Sequence, residues 1–256
     1  MSPLVVATCA VSVVAAAAYI VRRTRANDVP AAFLKACASV CFVALGLVSA
    51  ALGARTEAAL VVVMALVLCL VGDVFLSVNA AGSGTGAGLA SGPASGDAGA
   101  AAQGGAARGS APTRTLWTYG GFVAFMLGHL CLTGFMLADD AWSLLPAAIL
   151  VGVVGGTFIY QTPRILGLRL GRIRLLTACY SAVIFTATAL AVLRAAFQGG
   201  VGATLFAVGY VLFLLSDIVL AAIMFTDGRN TPRYNVLNLV PYYAGQNLIA
   251  LSLLWL

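Results

Sequence analysis

Apolar residues in this chain come in long unbroken runs, without the alternation of a half-buried strand or the single apolar stripe of a soluble helix. Eight runs have about the 20-residue length that crosses a bilayer core as a helix. They are Pro3–Val21, Ala31–Leu52, Glu57–Val78, Thr115–Leu137, Trp142–Tyr160, Ile173–Leu193, Gly200–Phe225 and Asn235–Leu256. Polar and turn-forming residues separate them, as at Asn27-Asp28 before Pro30, at Gly53, at Asp139-Asp140 and at Asp227-Gly228. Trp117, Tyr119, Trp142, Tyr160 and Trp255 fall at run ends, where interfacial aromatics belong. The pattern predicts an all-α polytopic membrane bundle with eight transmembrane helices, forming a single domain over residues 1–256. Between the third and fourth runs, 80–113 is almost wholly Gly, Ala and Ser, a composition that cannot bury enough apolar area to order itself. This segment reads as a disordered cytoplasmic insert.

Charge sharpens the picture. Only 9% of the 256 residues are charged and 62% are hydrophobic, too little solvated surface for a soluble enzyme or a secreted disulfide scaffold of this size. The net charge of +6 is explained by topology and does not call for nucleic acid. Eleven of the 14 basic residues fall in alternate connections: Arg22, Arg23 and Arg25; Arg108 and Arg114; Arg164, Arg169, Arg172 and Arg174; Arg229 and Arg233. Under the positive-inside rule these connections are cytoplasmic and both termini are exoplasmic. The first run has no basic residue before it and three after it, so it reads as a retained anchor and not as a cleaved signal. Cys9, Cys37, Cys41, Cys69, Cys131 and Cys179 all lie within apolar runs with no CxxC pair, and read as small buried hydrophobes.

Ionisable residues inside spans are costly and mark function by default. Lys35, Asp73, His129 and Asp217 are the four. Asp73 and Asp217 sit at matching depths near the inner ends of the third and seventh runs, roughly 8–12 Å from the boundary at 1.5 Å rise per residue, too deep for an aspartate to reach water. Lys35 either snorkels to the inner headgroups or joins them. His129 is either a packing residue or part of the site. Tyr180 in the sixth run, and Asn238, Tyr242 and Gln246 at i, i+4, i+8 in the eighth, add uncharged polar groups, which interhelical hydrogen bonding alone would also explain. A repeat is discernible as well: Lys35 to Asp73 spans 38 residues and Tyr180 to Asp217 spans 37, and Gly128-His129 answers Gly245-Gln246. Two four-helix halves in parallel orientation would follow.

The segments holding these residues resemble the YhhN-type lysoplasmalogenase family, the relatives of transmembrane protein 86. They are Lys35, Gly72-Asp73 in LVGDVFL, Phe125 to His129, Leu212 to Asp217, and Tyr242 to Gln246. The resemblance implies a hydrolase that cleaves the vinyl ether of lysoplasmalogens to a fatty aldehyde and glycerophosphocholine or glycerophosphoethanolamine. A vinyl ether is opened by protonating its β-carbon and capturing the resulting oxocarbenium-like cation with water. Two carboxylates, here Asp73 and Asp217, supply the acid and the base for such chemistry, as they do in glycosidases. Lys35, His129, Tyr180, Asn238, Tyr242 and Gln246 would bind substrate, and Lys35 or the Arg164 to Arg174 cluster would meet its phosphate. The implied partners are the lysophospholipid, water and the bilayer. No metal or other cofactor is implied, since one histidine is too few for a zinc hydrolase of the seven-span kind. The competing readings are a proton-coupled or small-solute transporter with the aspartates as relay, and a structural or receptor-like bundle without chemistry.

Overall fold

The computed structural model describes residues 2–53, 56–84 and 111–255. Among them are eight helices: α1 (Pro3–Arg25), α2 (Val29–Leu52), α3 (Thr56–Gly84), α4 (Ala111–Ala138), α5 (Leu145–Gln161), α6 (Arg174–Gln198), α7 (Val201–Phe225) and α8 (Pro232–Ser252). Each coincides with one apolar run. Helix starts follow local chemistry: Ser2, Asp28 and Thr231 accept the backbone N–H of Val5, Ala31 and Tyr234, and each is followed within two residues by proline. Arg22 hydrogen-bonds the Asp28 carboxylate and holds it below the usual carboxylate range. The turn from α6 to α7 is Gly199-Gly200, both with positive φ, 71° and 92°, which a residue with a Cβ rarely adopts.

Seven of these helices, all but α8, are long and apolar enough to cross a membrane. The protein is therefore a multi-pass integral membrane protein. Its outer face supports this, with Val14, Leu150, Val154 and Phe197 between 61% and 75% exposed, a surface that water would not tolerate over several helices. The expected eighth span departs from the others because α8 is too polar. Its Asn235, Asn238, Gln246 and Asn247 are all buried, since α8 packs against α7 on one side and α1 and α2 on another. Protein replaces lipid around it, so its polarity costs little.

α2, α3, α4, α6, α7 and α8 pack in a closed ring, each on the next and α8 back on α2. α1 lies outside in the groove between α2 and α8, and α5 lies outside on α6. Gly152 and Gly156 let α5 approach closely, since a Cβ on Gly156 would lie 2.9 Å from the Ala178 carbonyl oxygen. The two halves repeat this order: α1 on α2, α2 on α3 and α3 on α4 are matched by α5 on α6, α6 on α7 and α7 on α8. The repeat extends to detail. A Cβ on Gly128 would lie 3.2 Å from the carbonyl oxygen of Ala65, and one on Gly245 would lie 2.6 Å from that of Gly209; Ala65 and Gly209 each stand eight residues before the aspartate of their half.

Two expectations change. α3 continues to Gly84 and α4 begins at Ala111, so the ends of the expected insert at 80–113 are helical, as alanine favours. Residues 85–110 lie outside the described residues, as do Arg55 and Arg108 of the charge tally. The cysteines are free, but only Cys69 is buried, and Cys179 is exposed. Lipid accepts a small thiol on the outer face as readily as the core does.

Candidate active site

The six ring helices each send at least one polar side chain inward, and the charges meet where the apolar interior most needs them matched. Lys35 of α2 turns into the ring, with its Nζ 2.9 Å from Asp73 Oδ1 of α3. Of the two readings open to it, the ion pair holds and the snorkel does not. Ser39, one turn beyond Lys35 on the same face of α2, donates its Oγ–H to Asp73 Oδ2 at 2.6 Å. Tyr242 of α8 donates its hydroxyl to the same oxygen at 2.7 Å. Asp73 thus receives a cation and two hydroxyl donors, the saturation that a buried carboxylate requires.

Asp217 of α7 occupies the equivalent place in the second half with a poorer set of partners. Tyr180 of α6 donates its hydroxyl to Asp217 Oδ2. No cation pairs with Asp217 among the described residues. Where the first half has Lys35 and Ser39, the second has Tyr180 and, four residues on, Ile184. The Tyr180 hydroxyl also lies 3.5 Å from His129 Nε2 of α4, and His129 Nδ1 lies 3.5 Å from the Tyr210 hydroxyl of α7. Ser216, beside Asp217, donates to Asn238 Oδ1 at 2.7 Å.

Two cavities meet at this cluster. A polar one of about 350 Å³ is lined by Arg23, Lys35, Asp73, Asn235, Asn238 and Tyr242 among others. An apolar one of about 320 Å³ runs between α4, α5, α6 and α7, with Phe122, Phe158, Ile184 and Phe185 in its wall. Leu76, Phe125, Asp217, Leu220 and Met224 line both. Asp217 is the one ionisable residue at that junction.

Of the residues singled out from sequence, Lys35, Asp73, Asp217, Asn238 and Tyr242 line the polar cavity and Tyr180 the apolar one. His129 and Gln246 line neither. Both are 1% exposed, His129 behind Tyr180 and Gln246 in the corresponding place of the other half. The arginines considered for phosphate binding also lie elsewhere: Arg169 pairs with Asp227, and Arg174 donates to the Tyr160 carbonyl. None of Arg164, Arg169, Arg172 and Arg174 lines either of these two cavities, whereas Arg23 lines the polar one. Arg23, Ser39, Ser216 and Tyr210 escaped the sequence reading. Arg23 was counted there only for topology and Ser216 only within the motif Leu212 to Asp217, and the signal for Ser39 was its place four residues after Lys35.

The chain matches no curated protein and no solved structure. The model of the YhhN family matches residues 99–253. That stretch carries α4 to α8 with His129, Tyr180, Asp217, Asn238, Tyr242 and Gln246, while Lys35 and Asp73 precede it. A match over more than half of the chain, on an all-helical membrane bundle, makes this protein a member of the YhhN family.

Proposed function

We propose that this protein is a membrane hydrolase that cleaves the vinyl ether bond of lysoplasmalogens with a pair of carboxylates, Asp217 in acid–base chemistry and Asp73 as fixed charge. The observation that carries the reading is the position of Asp217 at the junction of a polar and an apolar cavity. A lysoplasmalogen has the same layout: a phosphoglycerol end, an alkyl chain, and the vinyl ether where they join. With the chain between α4 and α7 and the headgroup in the polar cavity, the reacting bond lies beside Asp217.

Asp217, which has no cation paired with it among the described residues, is assigned the acid. It gives its proton to the β-carbon of the vinyl ether, the π pair forming the new C–H bond and leaving an oxocarbenium shared between the α-carbon and the ether oxygen. Water adds to the α-carbon and returns a proton to Asp217. The hemiacetal then collapses, its hydroxyl hydrogen passing to the departing glycerol oxygen, and the products are the fatty aldehyde and the glycerophospho-alcohol. Asp73, held by Lys35, Ser39 and Tyr242, supplies fixed negative charge toward the cation. Such preorganised charge acts strongly in a site screened from water. The positive-inside pattern supports a site in the cytoplasmic half of the membrane with both termini exoplasmic.

The test is aldehyde release from a vinyl ether lysophospholipid by the detergent-purified protein, with the matched saturated ether as control. Release from the vinyl ether alone supports the reading. No release from monodisperse protein across a pH series overturns it and turns attention to proton-coupled flux in liposomes.

Arg23 is placed for the substrate phosphate. Of the three arginines that end α1, Arg22 is engaged by Asp28 and Arg25 is exposed, whereas Arg23 lines the polar cavity with its Nη2 3.5 Å from Asn230 Oδ1. Asn235 donates to that same oxygen at 3.2 Å and fixes it. Arg23→Gln is expected to raise KM for a lysophospholipid about tenfold with kcat little changed, the signature of lost binding made equally in ground and transition states. Steady-state kinetics with a phosphate-free 1-alkenylglycerol, which should be indifferent to the change, completes the comparison.

A further inference from the structure

The contacts around His129 fix more than its position. Tyr180, His129 and Tyr210 form a line of hydroxyl, ring and hydroxyl ending on Asp217, with both ring nitrogens 3.5 Å from a phenolic oxygen. A tyrosine hydroxyl has one hydrogen to donate. The Tyr180 hydrogen is used on Asp217, so toward His129 the Tyr180 oxygen accepts, and Nε2 carries the hydrogen that reaches it. The Tyr210 hydroxyl is wholly buried, with His129 Nδ1 as its partner among the described residues. It keeps its bond only if Nδ1 is the bare nitrogen that accepts. A ring protonated on both nitrogens, or on Nδ1 alone, strands the Tyr210 hydrogen in an apolar interior, a cost that buried hydroxyls avoid. Phe213 stands edge-on to the ring at a centroid distance of 4.8 Å, with an interplanar angle of 90°.

We infer that Tyr210 and His129 are positioning residues that form a one-way hydrogen-bonded buttress, Tyr210 O–H to His129 Nδ1 and His129 Nε2–H to the Tyr180 oxygen, which commits the Tyr180 hydrogen to Asp217. Every donor points toward the carboxyl group, and no group in the line touches substrate except Tyr180, which lines the apolar cavity. The buttress sets where the Asp217 carboxyl sits when it meets the vinyl ether. Its effect on turnover rests on the hydrolase reading, whereas its hydrogen-bond polarity does not.

His129 is the sole histidine of the chain, so ¹⁵N-histidine labelling of the full-length protein gives one pair of ring-nitrogen signals and reads this residue alone. The expected spectrum has hydrogen on Nε2 and a bare Nδ1 near neutral pH. Hydrogen on Nδ1, or on both nitrogens, overturns the inference. Tyr210→Phe is expected to erase the preference and give a mixed tautomer signal, and an unchanged spectrum counts against it. In turnover, His129→Leu is expected to lower kcat about 10- to 100-fold with KM within about twofold, a loss of alignment and not of binding. His129→Gln, whose amide both accepts and donates, restores most of that rate, and glutamine already fills the matching place in the other half at Gln246. If His129→Leu lowers thermal stability while kcat stays at the parent value, the positioning role falls. If the parent protein releases no aldehyde yet its spectrum has the Nε2–H form, the hydrolase reading fails and the buttress stands.

Discussion

Asp217→Asn is expected to abolish aldehyde release, with a fall of about 10²- to 10⁴-fold, the range that a positioned proton donor supplies. The protein should still fold. The one side chain bonded to Asp217 among the described residues is the neutral Tyr180 hydroxyl, and the asparagine carbonyl accepts the same hydrogen. No cation is left unpaired. A thermal unfolding midpoint within a few degrees of the parent, beside lost turnover, separates lost chemistry from lost structure. Near-normal turnover in this variant would remove Asp217 from the acid role.

Asp73 should behave in the opposite way, because its partner is charged. Asp73→Asn leaves the Lys35 ammonium inside the ring with no countercharge, and breaking a buried pair from one side costs about 3–5 kcal/mol. A large drop in the unfolding midpoint, or loss of monodisperse protein, is the expected result. Lys35→Met in the same chain removes the stranded cation and should recover most of that stability, since two residues in direct contact are not additive. The double variant should remain inactive. Its stability read by thermal unfolding, and its aldehyde release read in parallel, separate the structural share of this ion pair from its share in the chemistry. If Asp73→Asn alone is as stable as the parent, the pair does not carry the ring in the way described.

Much of this architecture is legible in the sequence because lipid imposes a simple rule. A helix facing hydrocarbon must be apolar over its whole length, so α1 to α7 stand out as runs, and Lys35, Asp73 and Asp217 stand out as interruptions. The rule weakens wherever protein takes the place of lipid. α8 is such a case: its asparagines and Gln246 face other helices, so its run Asn235–Leu256 can be picked out but falls short of the apolarity of the other seven. Serine in an apolar run is equally quiet, which hid Ser39 and Ser216. Arg23 was hidden differently, inside a cluster that topology already explained. The proposed division of labour between the two aspartates could not be read from either motif, because it depends on which side chains reach each carboxylate, Lys35, Ser39 and Tyr242 at Asp73 and Tyr180 at Asp217. Nor could the apolar cavity, which is a gap between helices and has no residue of its own.

Each half of the repeat brings one carboxylate and its nearest partner, Lys35 with Asp73 and Tyr180 with Asp217. Other contacts cross between halves: Tyr242 of the second half completes Asp73, and His129 of the first stands behind Tyr180. Neither half owns a finished site. The proposed turnover would in that sense be a property of the seams where α4 meets α6 and α8 meets α2. On the hydrolase reading, a detergent or bilayer that parts those seams by an ångström is expected to silence turnover while every helix keeps its hydrogen bonds, and circular dichroism would register nothing.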